Sequence, residues 1–180
     1  MSRKYVFWLL ILGGVAFGPA RAADTPDTHG VYEYVVQSVE VSFGEAAQAI
    51  EESANRHGWE VLASHDAGVP QKCTYRARVF VLVDRQYSQA LLNIEPLTGA
   101  FAAVDRVNIF EDETGIHVAV VNPYSINRTV LMDDTLHTDL AAAHLQRLRE
   151  MITTAIPGTR SQRQFGQART KGYIDKTMGV

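Results

Sequence analysis

The residues with the clearest capacity for chemistry are a lone thiol and, a few positions before it, an imidazole and a carboxylate. Cys73 is the only cysteine among 180 residues, and His65 and Asp66 precede it. Lys72 lies next to the thiol, and nearby cations favour the reactive thiolate. These side chains could supply metal ligands or a base and a nucleophile, although their spacing matches no strong zinc pattern. The alternatives are a buried, inert Cys73 and a turn at His65 and Asp66.

A second polar group occupies a seven-residue segment, 122–128, with the sequence NPYSINR. It follows a predicted strand, and a guanidinium with an amide beside it suits an anion. Four of its side chains are predicted to bind a ligand: Asn122, Tyr124, Asn127 and Arg128. The alternative is a loop that uses these groups for its own hydrogen bonds.

Other polar positions are expected to be structural. The acidic turn Glu111–Glu113 lacks the alternating oxygen ligands of a calcium loop. His117 and His144 are expected to be half-buried, hydrogen-bonded side chains. The sequence contains no glycine-rich phosphate loop, nucleophile elbow or metalloprotease motif. No metal or cofactor is therefore assigned, and whether the protein is an enzyme stays open, with the balance against it.

The elements that position these residues follow from hydrophobic periodicity. Strands are expected where β-branched and aromatic residues alternate, and helices where apolar residues recur every three or four positions. Ser42 and Glu45 form a capping box before the first helix. The acidic turn that ends at Gly115 makes residues 106–128 the clearest hairpin segment. The predicted strands are 31–38, 59–64, 75–83, 106–110, 116–121 and 129–132, and the predicted helices are 43–57, 86–94 and 139–155.

The first 22 residues have the composition of a secretory signal peptide. Two basic residues precede the apolar run Val6–Phe17, which is short for a membrane span, and residues 20–22 (Ala-Arg-Ala) form a cleavage site. We therefore expect a periplasmic or secreted protein with no membrane contact after cleavage, and an uncleaved anchor is the alternative. Residues 23–30 are expected to be a linker.

The distribution of charge argues against nucleic acid as a partner. The chain has 17 basic and 20 acidic residues, and without the three basic residues of the leader its net charge is about −6. Residues 157–180 are locally basic, with five Arg or Lys residues against Asp175. We predict that they form a flexible tail outside the domain 31–156. Phe165 and Tyr173 are the expected anchors when this tail docks on an acidic surface.

One segment and the hairpin after it carry a family resemblance. Residues 93–99 read NIEPLTG, and they are followed by the acidic, glycine-ended hairpin and by Asn122-Pro123. Over Val31–Met151 this pattern resembles the domain-of-unknown-function 302 family. The resemblance implies an α+β fold, with one curved antiparallel sheet and two helices packed on one face, similar to the TATA-binding-protein-like architecture. It also implies a homodimer.

The sequence therefore predicts an exported α+β domain that binds a small ligand or a protein partner. A periplasmic redox or sulfur-handling protein that uses Cys73 is the alternative function. Neither hypothesis identifies the ligand, because a fold class does not specify a function.

Overall fold

The computed structural model describes residues 28–131, 137–166 and 169–170. The predicted leader, most of the predicted linker and the end of the tail lie outside these residues. Among the helices of the described residues, none has the length and apolar composition that a membrane span needs.

The described chain is an α+β domain built on a curved, seven-stranded antiparallel sheet. The strands of the described residues are β1 (Thr28–His29), β2 (Tyr32–Val39), β3 (Trp59–Asp66), β4 (Ala77–Asp84), β5 (Asp105–Asp112), β6 (Gly115–Val121), β7 (Thr159–Arg160), β8 (Gln164–Phe165) and β9 (Arg169–Thr170), and all but β1 and β9 belong to this sheet. The order across the sheet is β3-β4-β5-β6-β2-β7, and β8 also pairs with β2. A separate pair joins β1 to β9.

Two of the helices in the described residues cover one face of this sheet. The helices are α1 (Phe43–Arg56), α2 (Arg85–Ile94), α3 (Pro123–Val130) and α4 (Thr138–Ala155), with a 3₁₀ turn at Gly99–Ala102. Alternate residues of the strands and the apolar stripes of α1 and α4 form the main core, which includes Ile50, Phe80, Ile109, Val118 and Leu148. The predicted fold class is confirmed. Among the described residues no helix packs on the opposite face of the sheet, which is called the open face below.

Local sequence signals explain the start of α1 and the turn of the β5–β6 hairpin. The backbone N–H of Glu45 donates to Ser42 Oγ at 3.2 Å, and the Ser42 N–H donates to Glu45 Oε2 at 3.2 Å. Gly115 has φ +118°, and a Cβ there would lie 2.9 Å from the carbonyl oxygen of Val39. Two features of this turn therefore require glycine at position 115: the positive backbone angle and the close approach of β2.

Two polar segments lie in regular structure that the sequence did not predict. The predicted strand 129–132 is wrong, because residues 129 and 130 end α3. The Asn122 side chain accepts from the Tyr124 N–H at 3.0 Å, and Pro123 at the first helical position presets the backbone for a helix. His65 and Asp66 do not form a turn, because β3 continues through them and pairs with β4.

The first part of the predicted tail differs from its expectation, because it extends the sheet. β7 and β8 pair with the edge of β2 that β6 leaves free, and a free strand edge offers unpaired backbone groups. The ring of Phe165 packs on those of Tyr32 and Tyr34, with centroids 5.2 and 4.4 Å apart. Residues 171–180, including Tyr173, lie outside the described residues.

Candidate functional site

A buried histidine–aspartate pair joins α4 to the sheet. His144 is 2% exposed and Asp105, the first residue of β5, is 7% exposed. His144 Nε2 lies 2.8 and 2.9 Å from the two carboxylate oxygens of Asp105, and Trp59 Nε1 donates to Asp105 Oδ2 at 2.9 Å. Because a carboxylate only accepts, we assign a hydrogen to Nε2, which leaves Nδ1 as an acceptor in the neutral ring.

A second buried carboxylate lies beside this pair. Asp84 ends β4 and caps α2, since its Oδ1 accepts from the backbone N–H groups of Gln86 and Tyr87 at 3.0 and 3.4 Å. Its Oδ2 accepts a charge-assisted hydrogen bond from Arg147. The same Oδ2 lies 3.6 Å from His144 Nδ1. A carboxylate cannot donate to an acceptor, so Asp84 leaves the Nδ1 lone pair unsatisfied.

Tyr87 of α2 covers the imidazole and extends the cluster to α3. Its ring is parallel to that of His144, with centroids 3.5 Å apart and an angle of 2° between the planes. Its hydroxyl donates to Asn127 Oδ1 at 3.0 Å. Burial raises the pKa of the Tyr87 hydroxyl, with the Asp105 and Asp84 carboxylates adding to the effect, so the phenol keeps its proton and remains a donor.

A pocket between α2 and α4 leads to this cluster. Its volume is about 270 Å³, and its lining residues are Gln86, Tyr87, Ala90, Leu140, Ala143, His144 and Arg147. His144 Nδ1 is buried and has no hydrogen-bond partner. Buried polar groups are nearly always paired, so an unpaired acceptor at a pocket indicates where a water molecule or a ligand group donates. His144 is one of the lining residues, so the pocket reaches the side chain that carries this unpaired acceptor.

The structure does not unite the first predicted group of site residues. The His65 and Asp66 side chains leave opposite faces of β3, as neighbours on a strand must. Arg78 donates to Asp66 at 2.6 Å, and this hydrogen bond lowers the pKa of the exposed Asp66 carboxyl. Cys73 is partly buried in the loop between β3 and β4. The described part of the chain contains no cluster of three His, Cys, Asp or Glu side chains that could hold a metal ion.

The second predicted group lies in α3 and at its start, and its side chains do not converge on one site. Asn122 is buried and donates to the Gly30 carbonyl at 3.0 Å, so its side chain fixes the entry to β2. The Tyr124 ring stacks on that of His29, with centroids 4.4 Å apart. Burial, and after it the charge of the half-buried Arg128, lowers the pKa of His29. Asn127 alone belongs to the His144 cluster, and its Nδ2 is also buried without a partner.

Asp84, Tyr87 and Asp105 were not predicted as site residues from the sequence, and His144 was expected to be structural. One signal was present for Asp105. It shares the inward face of β5 with Val107 and Ile109, so strand alternation places a carboxylate in the core, where it must be paired.

Comparison with known proteins agrees with the fold. The crystal structure of the uncharacterized conserved protein DUF302 from Bacillus stearothermophilus matches with a TM-score of 0.59 and 17% sequence identity. The match covers 69% of this chain and 98% of that chain. The protein therefore has a DUF302-like fold, as the resemblance to the domain-of-unknown-function 302 family predicted. No protein-family model matches the sequence, and no curated protein matches it.

Proposed function

We propose that the protein binds a small molecule of about one ring, carrying a hydroxyl or N–H group, in the pocket between α2 and α4. The observation that carries this proposal is His144 Nδ1, a buried acceptor without a hydrogen-bond partner among the pocket residues. Leaving such an atom unpaired costs about 1–3 kcal/mol. A ligand that donates to it therefore gains both affinity and specificity.

The charges around Nδ1 select a donor. Asp84 Oδ2 lies 3.6 Å away, and Asp105 accepts the hydrogen bond of the other ring nitrogen. Both carboxylates disfavour a second acceptor near the imidazole and favour a group with a polarised hydrogen. The Asp105 contact also fixes the orientation of the ring, so the acceptor is held in place before the ligand arrives.

The remaining surface of the pocket limits the size and the role of the ligand. Ala90, Leu140 and Ala143 form an apolar wall. Drug-sized ligands occupy pockets of about 300–1,000 Å³, so the observed 270 Å³ suits a single-ring molecule. The lining contains no serine, threonine, cysteine or lysine that could act as a nucleophile.

A pair of probes that differ by one hydrogen tests the proposal. Phenol can donate to Nδ1, whereas anisole has nearly the same shape and cannot donate. We expect phenol to bind about tenfold more tightly than anisole, as one hydrogen bond of about 1.4 kcal/mol requires. Dissociation constants are measured by NMR titration of the amide resonances of α2 and α4.

Two variants make the test specific to this pocket. Ala143→Leu should fill the pocket and abolish binding of both probes, while Thr154→Leu, on an exposed position of the same helix, should leave both affinities unchanged. His144→Phe should bind phenol and anisole equally. Equal affinities in the unmodified protein, or unchanged binding in Ala143→Leu, would contradict the proposal.

We propose in addition that the protein works after export, in the periplasm or outside the cell, as a homodimer. The composition of residues 1–22 supports export, and the family resemblance supports the dimer. Cell fractionation with sequencing of the mature N-terminus tests the first statement, and sedimentation equilibrium tests the second. A redox role for Cys73 predicts rapid labelling of the folded protein by a thiol reagent, and slow labelling would exclude that role.

A further inference from the structure

The open face of the sheet carries a groove that is independent of the α2–α4 pocket. Its volume is about 350 Å³, and its lining residues are Tyr32, Val79, Arg106, Asn108, Ala119, Val120, Val121 and Phe165. Along β5 the side chains alternate, so Val107 and Ile109 enter the core while Arg106 and Asn108 reach the groove. The sheet therefore separates this groove from the helices.

Arg106 is an available cation at this groove. Its side chain is exposed, and within residues 28–131, 137–166 and 169–170 its guanidinium has neither an ion pair nor a hydrogen bond. The groove lining contains no carboxylate to neutralise it. A guanidinium in this position matches a carboxylate in both charge and geometry.

Asn108 adds an acceptor between apolar neighbours. It pairs with Val79 on β4 and with Ala119 on β6, neither of which can donate from its side chain. Its Oδ1 is buried and has no hydrogen-bond partner. The groove is therefore lined by one cation and, two positions along β5 and about 7 Å away, by an amide whose oxygen has no partner.

Two aromatic side chains form one wall of the groove. Tyr32 of β2 and Phe165 of β8 are paired residues whose ring centroids lie 5.2 Å apart. Val121 pairs with Tyr32 from the other side. An aromatic wall beside an apolar floor suits a flat ring system, because flat surfaces stack and exclude water together.

We propose that this groove binds a flat, ring-containing carboxylic acid that also carries an N–H or O–H group. The carboxylate pairs with Arg106, the donor reaches Asn108 Oδ1, and the ring lies against Tyr32 and Phe165. The C-terminal segment is then part of a binding site, because β8 supplies Phe165. This site is separate from the α2–α4 pocket, and binding in the groove does not depend on that pocket.

A second copy of this chain suits the groove less well than such an acid. In a symmetric dimer centred on the groove, each partner presents the same lining, and that lining contains Arg106 but no carboxylate. Burying the guanidinium against it would leave the positive charge unpaired, which is costly. A small acid supplies the missing charge directly.

Three related probes separate the two polar contacts. Indole-3-acetate has the carboxylate and the N–H, indole-3-acetamide lacks the charge, and 1-naphthaleneacetate lacks the N–H. We expect indole-3-acetate to bind about tenfold more tightly than either of the other two, since each loses one hydrogen-bonded partner. Affinities are measured by isothermal titration calorimetry at low ionic strength.

Variants assign each contact to its residue. Arg106→Gln should weaken indole-3-acetate about tenfold and remove its advantage over the amide, whereas Arg56→Gln, an exposed arginine of α1 on the other face, should change nothing. Asn108→Leu should remove the advantage over 1-naphthaleneacetate. Phe165→Ala should weaken all three probes, and Ala143→Leu should weaken none of them.

Three results would overturn the inference. They are equal binding of the acid and the amide, equal effects of Arg106→Gln and Arg56→Gln, and sedimentation data in which Arg106→Gln shifts a dimer equilibrium while no probe binds. Phenol binding is tested with Ala143→Leu and His144→Phe, whereas binding of the indole acid is tested with Arg106→Gln and Phe165→Ala. Failure of this site and failure of the α2–α4 pocket are therefore distinguishable.

Discussion

The two faces of the sheet place neighbouring charged residues of β5 in opposite environments. On the helix-covered face Asp84, Asp105 and His144 are removed from water, and all but one of their polar side-chain atoms are hydrogen-bonded. On the open face, Arg106 is exposed and has no ion pair or hydrogen bond within the described part of the chain. Solvent hydrates the exposed Arg106, whereas the side chains of the inner cluster are buried. An unpaired atom therefore indicates a ligand only where water is excluded, as at His144 Nδ1 and Asn108 Oδ1.

The largest difference between the two faces is expected in the free energy of unfolding when two adjacent residues of β5 are substituted. Asp105→Ala should lower the free energy of unfolding by about 3–5 kcal/mol, because it leaves Trp59 Nε1 and the His144 imidazole buried without their acceptor. Arg106→Gln, one position along β5, should change it by no more than about 0.5 kcal/mol. Urea unfolding at pH 7 measures both variants. Similar losses would mean that the inner cluster is hydrated and the comparison is wrong.

Apolar side chains should show the same contrast on a smaller scale. Leu148 of α4 is buried in the core, and Leu148→Ala should cost about 2–5 kcal/mol through lost contacts and a residual cavity. Leu62 of β3 is 52% exposed, and Leu62→Ala should cost well under 1 kcal/mol. A loss below about 0.5 kcal/mol for Leu148→Ala would show that α4 does not pack on the sheet as described.

The turn that holds the hairpin against β2 should respond to backbone geometry rather than to burial. Gly115→Val should destabilise by about 1–3 kcal/mol, because φ is +118° and Val39 blocks the added Cβ. Gly44 in α1 is the matched control, since nothing lies within 4 Å of a Cβ built there. Gly44→Ala should be neutral or slightly stabilising. A neutral Gly115→Val in the same thermal unfolding experiment would show that the hairpin register is different.

The smallest expected effect is a pH dependence beside the open face. Asp112 accepts hydrogen bonds from Thr114 and His117, which lower its pKa to about 2. The pKa of an unfolded aspartate is about 3.9, so the stabilisation is present above pH 4 and is lost as pH falls towards 2. The stability difference between the unmodified protein and Asp112→Asn should therefore shrink over this interval. A difference that stays constant from pH 5 to pH 2 would contradict the role of these contacts.

Local patterns predicted most elements, while the inner site depends on contacts distant in sequence. The capping box at Ser42 and the turn at Gly115 involve residues within a few positions of each other, and both form as predicted. His144 and Asp105 are 39 positions apart, and no periodicity indicates that they meet. The Asn-Pro pair after β6 was ambiguous, because the same two residues that end a strand also cap a helix.

The open-face groove was hidden for a related reason. The composition of the C-terminal segment predicted a solvated tail, because the segment is rich in Arg, Gln and Gly. Its pairing with β2 depends on a strand edge left free more than a hundred residues earlier, and that edge places Phe165 beside Tyr32. Only the folded sheet shows that an aromatic residue of this segment completes a groove.

The most direct test of the central claim is the nitrogen-15 NMR spectrum of the His144 ring. We predict a hydrogen on Nε2 and an acceptor resonance for Nδ1. Phenol should move that Nδ1 resonance by donating to it, and anisole should not. A hydrogen on Nδ1 in the free protein, or an Nδ1 resonance that phenol leaves unchanged at saturation, would contradict the account.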